Sequence, residues 1–176
     1  MLGVSVMAIN VPKEYEVPLY LFHQGKNAEA YKLFGSHFAK KDGVSGVVFR
    51  VWAPKAADVS VVGDFNHWNR EESYMKKISD GGIWELFIPG LKKFDNYKYS
   101  IKTERGQIKL KADPYGYHME TRPNTASKVY DISSYNWKDS KWMDEKKTKD
   151  VYRSPMNIYE VHLNSWFTKT DEEELF

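Results

Sequence analysis

The sequence predicts an all-β chain built as an antiparallel sandwich, and three observations predict it. From Val44 to about Ile132, apolar and polar residues alternate in short runs, turn residues punctuate the runs, and no stretch of helical period separates them. Val47, Phe49 and Val51 alternate with Val48, Arg50 and Trp52 before Pro54 interrupts. Val59 and Val61 alternate with Ser60 and Val62 before Gly63. Trp84, Leu86 and Ile88 alternate with Glu85 and Phe87 up to Pro89–Gly90, and Tyr97, Tyr99 and Ile101 alternate with Lys98, Ser100 and Lys102. A period of two sends one face to a core and the other to water. Asp42–Gly43, Gly81–Gly82 and Arg105–Gly106 supply the turns. Strands joined this way form antiparallel sheets, not βαβ units. Phe49, Phe87, Tyr97 and Tyr99 are expected in or at the edge of the core, Trp52 and Trp84 are read as packing residues, and Phe65 as a loop anchor.

The flanks have a different texture. From Val11 to Phe38 the pattern is mixed, with a short helix expected at Asn27–Phe34: Asn27 as N-cap, Ala28, Ala30 and Leu33 as helix formers, Gly35 as the stop. Residues 136–150, NWKDSKWMDEKKTKD, are dense in charge, lack periodicity and read as a connector. After Ser154–Pro155, Ile158, Glu160, His162 and Asn164 alternate with Tyr159, Val161, Leu163 and Ser165, a strand without a neighbour in the sequence. The chain stops ten residues beyond Trp166, so it is expected to be a piece of something longer.

Composition narrows the function classes. With 26 basic and 24 acidic residues in 176, the formal charge is +2, and no basic stripe suggests nucleic acid. Hydrophobic residues make up 41%, enough for a core. There is no cysteine, which excludes disulfides and thiolate metal sites and fits a reducing, cytoplasmic setting. No apolar run approaches the roughly 20 residues of a membrane span, and the start lacks the basic n-region of a secretory signal. His23, His37, His67, His118 and His162 show no metal-binding spacing, and no glycine-rich loop cradles phosphate, so no metal or cofactor is expected. Aromatic residues (6 Trp, 12 Tyr, 9 Phe) are abundant enough to build a core or to face something flat and hydroxylated.

The strings RVWAPKAADVSVVGDFNHWN, GGIWELFIPG, YKYSIKT, KADPYGYHMETRPNTASKVYD and IYEVHLNSW closely resemble the N-terminal part of the glycogen (1,4-α-glucan) branching enzymes. YLFHQGKNAEAYKLFGSHF resembles their leader, so the likeness runs from about Val17 to Trp166. The resemblance implies an immunoglobulin-like sandwich, a carbohydrate-binding module of the isoamylase N-terminal type, ahead of a (β/α)₈ catalytic barrel whose first strand IYEVH resembles. It divides the chain into a leader with a helical segment (1–38), the module (39–135), a linker (136–154) and the start of a truncated barrel (155–176). A barrel takes about 250 residues, and the family's catalytic Asp, Glu and second Asp lie in later motifs that this sequence does not contain. No residue here takes a catalytic role. On their own terms, Asp64, Glu85, Glu104 and Asp113 each have a turn or surface explanation, and no local spacing forces two together as retaining glycosyl transfer requires.

Glucan binding is the remaining chemistry. An aromatic ring covers the C–H face of a sugar while polar side chains bond its hydroxyl rim. Covering ~60 Å² gives roughly 1.5 kcal/mol, whereas a millimolar complex needs about 4 kcal/mol. One ring is insufficient. Trp68, in the loop GDFNHWN, matches the position that stacks on glucose in related modules, Asn66 beside it is a further candidate for contact with the sugar, and Lys98 in YKY matches a lysine that contacts hydroxyls. Thr125 and Ser127, in NTASK, match the polar loop completing such a site. Trp68 can equally pin its loop against the sandwich edge or the barrel. Strong glycogen binders carry a second Trp after the YKY strand, where this chain has Gln107–Ile108, which implies weak binding. The partners implied are α-1,4-glucans (glycogen, amylose, maltooligosaccharides) and the chain's own barrel, with no nucleic acid, no membrane and a monomeric state. Three readings stand: the noncatalytic part of a branching enzyme that positions the barrel and holds glucan weakly, an autonomous glucan-binding module, and a purely structural docking domain.

Overall fold

The computed structural model describes residues 12–133 and 135–162, and the chain divides into two compact units between residues 133 and 134. In the first unit, alternation produces two antiparallel sheets. The first holds β1 (Gly35–Lys41), β2 (Val44–Trp52), β4 (Lys76–Ser79) and β5 (Ile83–Pro89) in the order β1-β2-β5-β4. The second holds β3 (Ala56–Gly63), β6 (Asn96–Thr103), β9 (Ser127–Lys128) and β8 (His118–Met119) in the order β3-β6-β9-β8, with β7 (Ile108–Lys111) also paired to β6.

Register places the expected apolar face inward. Val47 lies opposite Ile88, Phe49 opposite Leu86 and Val51 opposite Trp84 in the first sheet. Val59 lies opposite Ile101 and Val61 opposite Tyr99 in the second. These residues, with Tyr97 and Val129, meet in one core, where the Phe49 and Tyr97 rings pack edge to face at 4.9 Å. Phe65 packs against this core, and the buried Trp84 donates its indole N–H to Ala53 O. Trp52 is half exposed, donates to Gly81 O and meets Phe22 edgewise.

Asp113 departs from the turn or surface place expected of it. It is buried, its Oδ2 accepts the Tyr97 and Tyr99 hydroxyls at 2.6 and 3.2 Å, and its Oδ1 accepts the Tyr115 N–H. Burial pushes its carboxyl above the usual carboxylate range, and the hydrogen bonds from Tyr97, Tyr115 and Tyr99 oppose the shift.

The N-terminal helix lies elsewhere than expected. Helix α1 spans Lys13–His23, and Asn27–Phe34 contains only a 3-10 turn at Ala30–Lys32. Asn27 caps no helix: its Oδ1 accepts the Glu29 N–H, and its Nδ2 donates to Pro18 O. Leu19, Ala30, Leu33 and Phe34 bury themselves with Ile83 in a second core on the outer side of the first sheet. Arg50 is the pin there. It is 6% exposed, donates to Glu85 Oε2 at 2.6 Å, to Leu33 O and to the Tyr15 hydroxyl, and stacks its guanidinium 4.2 Å above the Tyr15 ring. Gly35, which opens β1, has φ +100°, and a Cβ there would stand 3.1 Å from Tyr115 O.

In the second unit, the stretch read as a charged connector without periodicity contains α2 (Ser140–Thr148), supported by Lys141–Glu145 and Asp144–Lys147 ion pairs one turn apart. Residues 156–162 form no strand, and the remainder of the expected barrel strand lies outside the described residues. No described helix is long and apolar enough to cross a membrane.

Candidate functional site

Strand β3 ends at Gly63, and backbone proximity fixes the path of the loop beyond it. A Cβ on Gly63 would stand 2.1 Å from Asn96 O and 2.5 Å from the Phe65 ring, so only glycine lets the loop lie this close to β6. Asp64–Asn66 then form a single 3-10 turn. Asn66 is 3% exposed. Its Oδ1 accepts the Gly63 N–H at 2.9 Å, and its Nδ2 faces Val61 O, Ser73 Oγ and Asn69 O at 3.0–3.2 Å. The expectation that Asn66 faces a sugar is therefore corrected: its amide is buried and consumed in building the loop.

The loop is strained where it presents its ring. His67 and Trp68 have φ values of +53° and +60°, in the left-handed region that costs an L-residue about 1–2 kcal/mol. The Trp68 N–H bonds Gly63 O at 2.9 Å, which holds the conformation. Trp68 remains 39% exposed, and its indole N–H donates to Asp64 Oδ1 at 3.0 Å. Asp64 Oδ2 accepts Asn96 Nδ2 at 2.8 Å, and Asn96 Oδ1 accepts Lys128 Nζ at 2.7 Å. The ring is thus tied through one carboxylate to the start of β6.

Sheet register sets the neighbours. Asn96 lies directly opposite Lys128, and Lys128 directly opposite His118. Residues opposite one another in an antiparallel pair share a face, and this is the face away from the buried Tyr97 and Tyr99. Lys98 is on the same face, about 7 Å along β6 from Asn96, and its Nζ bonds Thr125 Oγ1 at 2.7 Å. Trp68, Lys98 and Thr125 thus belong to one end of the second sheet. Ser127 does not join them. It is buried, and its hydroxyl accepts the Asp113 N–H. Asp64, Asn96 and Lys128 were not anticipated as site residues, because two strand pairings, β3 with β6 and β6 with β9, are needed to bring them together, each across 32 residues. The arrangement offers an aromatic surface, ammonium donors at Lys98 and Lys128, and a hydroxyl at Thr125, a set suited to a neutral polyhydroxylated ligand.

Residues 33–116 match Carbohydrate-binding module 48 (Isoamylase N-terminal domain). The chain is 50% identical over 165 residues to the 1,4-alpha-glucan branching enzyme GlgB of Bacillus subtilis (strain 168), across 94% of this chain and 26% of that protein. It is 46% identical over 166 residues to the enzyme of that name from Thermosynechococcus vestitus (strain NIES-2133 / IAM M-273 / BP-1), across 94% of this chain and 22% of the relative. The similarity places the chain against the N-terminal region of the branching enzymes. It spans about a quarter of the length of the branching enzymes it matches. Among solved structures, a pullulanase from Bacillus acidopullulyticus is 27% identical with a TM-score of 0.44, over 56% of this chain and 12% of that one. In this chain the module match contains Asp64, Trp68, Asn96 and Lys98 but ends before His118, Thr125 and Lys128. It begins after α1, although Leu19 and Ala30 belong to a core shared with Ile83.

Proposed function

We propose that this chain is the noncatalytic, glucan-holding part of an enzyme that moves α-1,4-glucan chains to α-1,6 branch points in glycogen biosynthesis, and that in the longer protein it also positions the catalytic barrel. The ligand is an α-1,4-glucan (glycogen, amylose or a maltooligosaccharide). Trp68 stacks on the apolar face of one glucose unit, while Lys98, Thr125 and Lys128 bond hydroxyls along the rim. Asn66, Asp64 and Gly63 hold Trp68 in place.

The observation that carries this reading is the strained display of Trp68. A loop that needs left-handed backbone at residue 68 would be more stable with glycine there. Instead the position holds a large ring, oriented by a carboxylate and left partly open to solvent. Strain retained at an exposed aromatic residue is characteristic of a functional position.

One stacked ring supplies roughly 1.5 kcal/mol, and three neutral-acceptor hydrogen bonds add about 0.5–1.5 kcal/mol each. The sum reaches the millimolar range and little beyond. Affinity electrophoresis in glycogen-containing gels tests the proposal: the chain should be retarded, and a Trp68 variant should run freely. Equal mobility with and without glycogen would remove the binding role.

A further inference from the structure

We infer that Phe94, walled by His118 and Tyr130, is a second aromatic platform for the same glucan chain, an inference that rests on the glucan reading of Trp68. The turn between β5 and β6 runs from Lys92 to Asp95: the Asp95 N–H bonds Lys92 O, and Asp95 Oδ2 accepts the Lys92 N–H at 2.7 Å. Phe94 occupies the third position with φ +77°. A turn of this kind takes glycine or asparagine there, because a side chain clashes with its own backbone at positive φ. The chain spends that strain on a ring that is 51% exposed.

Among the described residues, four non-glycine positions have positive φ: Asp42, His67, Trp68 and Phe94. Asp42 precedes Gly43 in a hairpin, where aspartate is an ordinary occupant. Phe94 and Trp68 are the two large aromatic side chains, and both are attached to the start of β6. Trp68 reaches Asn96 through Asp64, and Phe94 lies two residues before Asn96.

Phe94 is held from the side. Its ring meets His118 edge to face at 5.6 Å and Tyr130 at 5.5 Å, and those two rings lie 5.1 Å apart. Lys93 Nζ stands 4.1 Å from the centre of the Tyr130 ring. His118 closes the row Asn96–Lys128–His118, which crosses three strands and spans about 10 Å. A polar row with Trp68 at one side and Phe94 at the other matches an oligosaccharide that alternates apolar ring faces with hydroxyl rims. This cluster provides the second ring that the Gln107–Ile108 hairpin does not.

Calorimetric titration of the 176-residue chain with maltoheptaose tests the inference. Phe94→Asn removes the ring and keeps a residue that tolerates left-handed backbone, and Tyr130→Thr removes the wall at a separate position. Each should weaken binding about tenfold while the chain stays folded by circular dichroism. Wild-type affinity in both, with weakened binding in Trp68→Gly, would overturn the second platform and leave the Trp68 reading intact. Weak binding in both, with Trp68→Gly unchanged, would leave the Phe94 cluster as the site and remove Trp68 from it. No binding by the wild-type chain would overturn both.

Discussion

Replacing Trp68 with glycine and, separately, with alanine divides the contribution of the ring from the cost of its backbone. Both changes remove the indole and its bond to Asp64 Oδ1. Only glycine relieves φ +60°. The left-handed conformation costs an L-residue about 1–2 kcal/mol, and glycine's looser unfolded chain returns about 0.5–1 kcal/mol of that difference. Trp68→Gly should therefore be more stable than Trp68→Ala by about 0.5–1 kcal/mol, or roughly 2–5 °C in melting temperature for a unit of this size. Glucan affinity should fall equally in both, by about tenfold, the equivalent of ~60 Å² of lost apolar contact. Scanning calorimetry and glycogen affinity electrophoresis on the same two proteins read both numbers. A more stable alanine variant would refute the strain argument, and unchanged retardation in both would refute the stacking argument.

The same contacts set further expectations. Gly63→Ala places a methyl group 2.1 Å from Asn96 O, so the loop must lift from β6. Its melting temperature should drop by the equivalent of about 2 kcal/mol and glycogen retardation should weaken, and an unchanged melting curve would count against the close approach. The folded chain binds the Asp113 proton more tightly than the unfolded chain, because burial raises its pKa. Folding then takes up a proton between the ordinary and raised values, and Asp113's contribution to stability grows as pH falls through the raised value. The stability advantage of wild type over Asp113→Asn should accordingly be larger near pH 4 than at pH 7, as measured by urea denaturation at each pH; the opposite slope would contradict the burial. Amylose incubated with this chain should keep its iodine colour, and a shift toward branched product would show that transfer chemistry resides here.

The sheet core was legible because alternation is a local signal. Val47, Phe49 and Val51 announce which side of β2 is buried before any partner is known, and their pairing with Ile88, Leu86 and Trp84 accords with that choice. β1 was not legible, since GSHFAKK alternates weakly and carries the lysines that blunt an edge strand. α1 was hidden by Pro18 in its interior and by the lack of a side-chain cap, and α2 by a charge density that leaves it no buried face. The site divides in the same way. GDFNHWN marked Trp68 as an exposed loop aromatic, but the string could not say that Asn66 turns inward or that Trp68 and Phe94 sit at positive φ. Those facts depend on long-range pairing and backbone angles that composition and spacing do not encode.

The Arg50 pin bears on how this region can be dissected. A fragment cut at residue 33, where the module match starts, would lose the Tyr15 hydroxyl and ring that partner the guanidinium. It would also strip Leu19 and Ala30 from Phe34 and Ile83, opening an apolar surface on a sheet whose Arg50 keeps its Glu85 counter-ion but loses the hydroxyl and ring that cover the guanidinium. A fragment meant to fold on its own should therefore retain α1 from Lys13, and domain grafts or crystallisation trials designed on the family boundary alone should give aggregation-prone material.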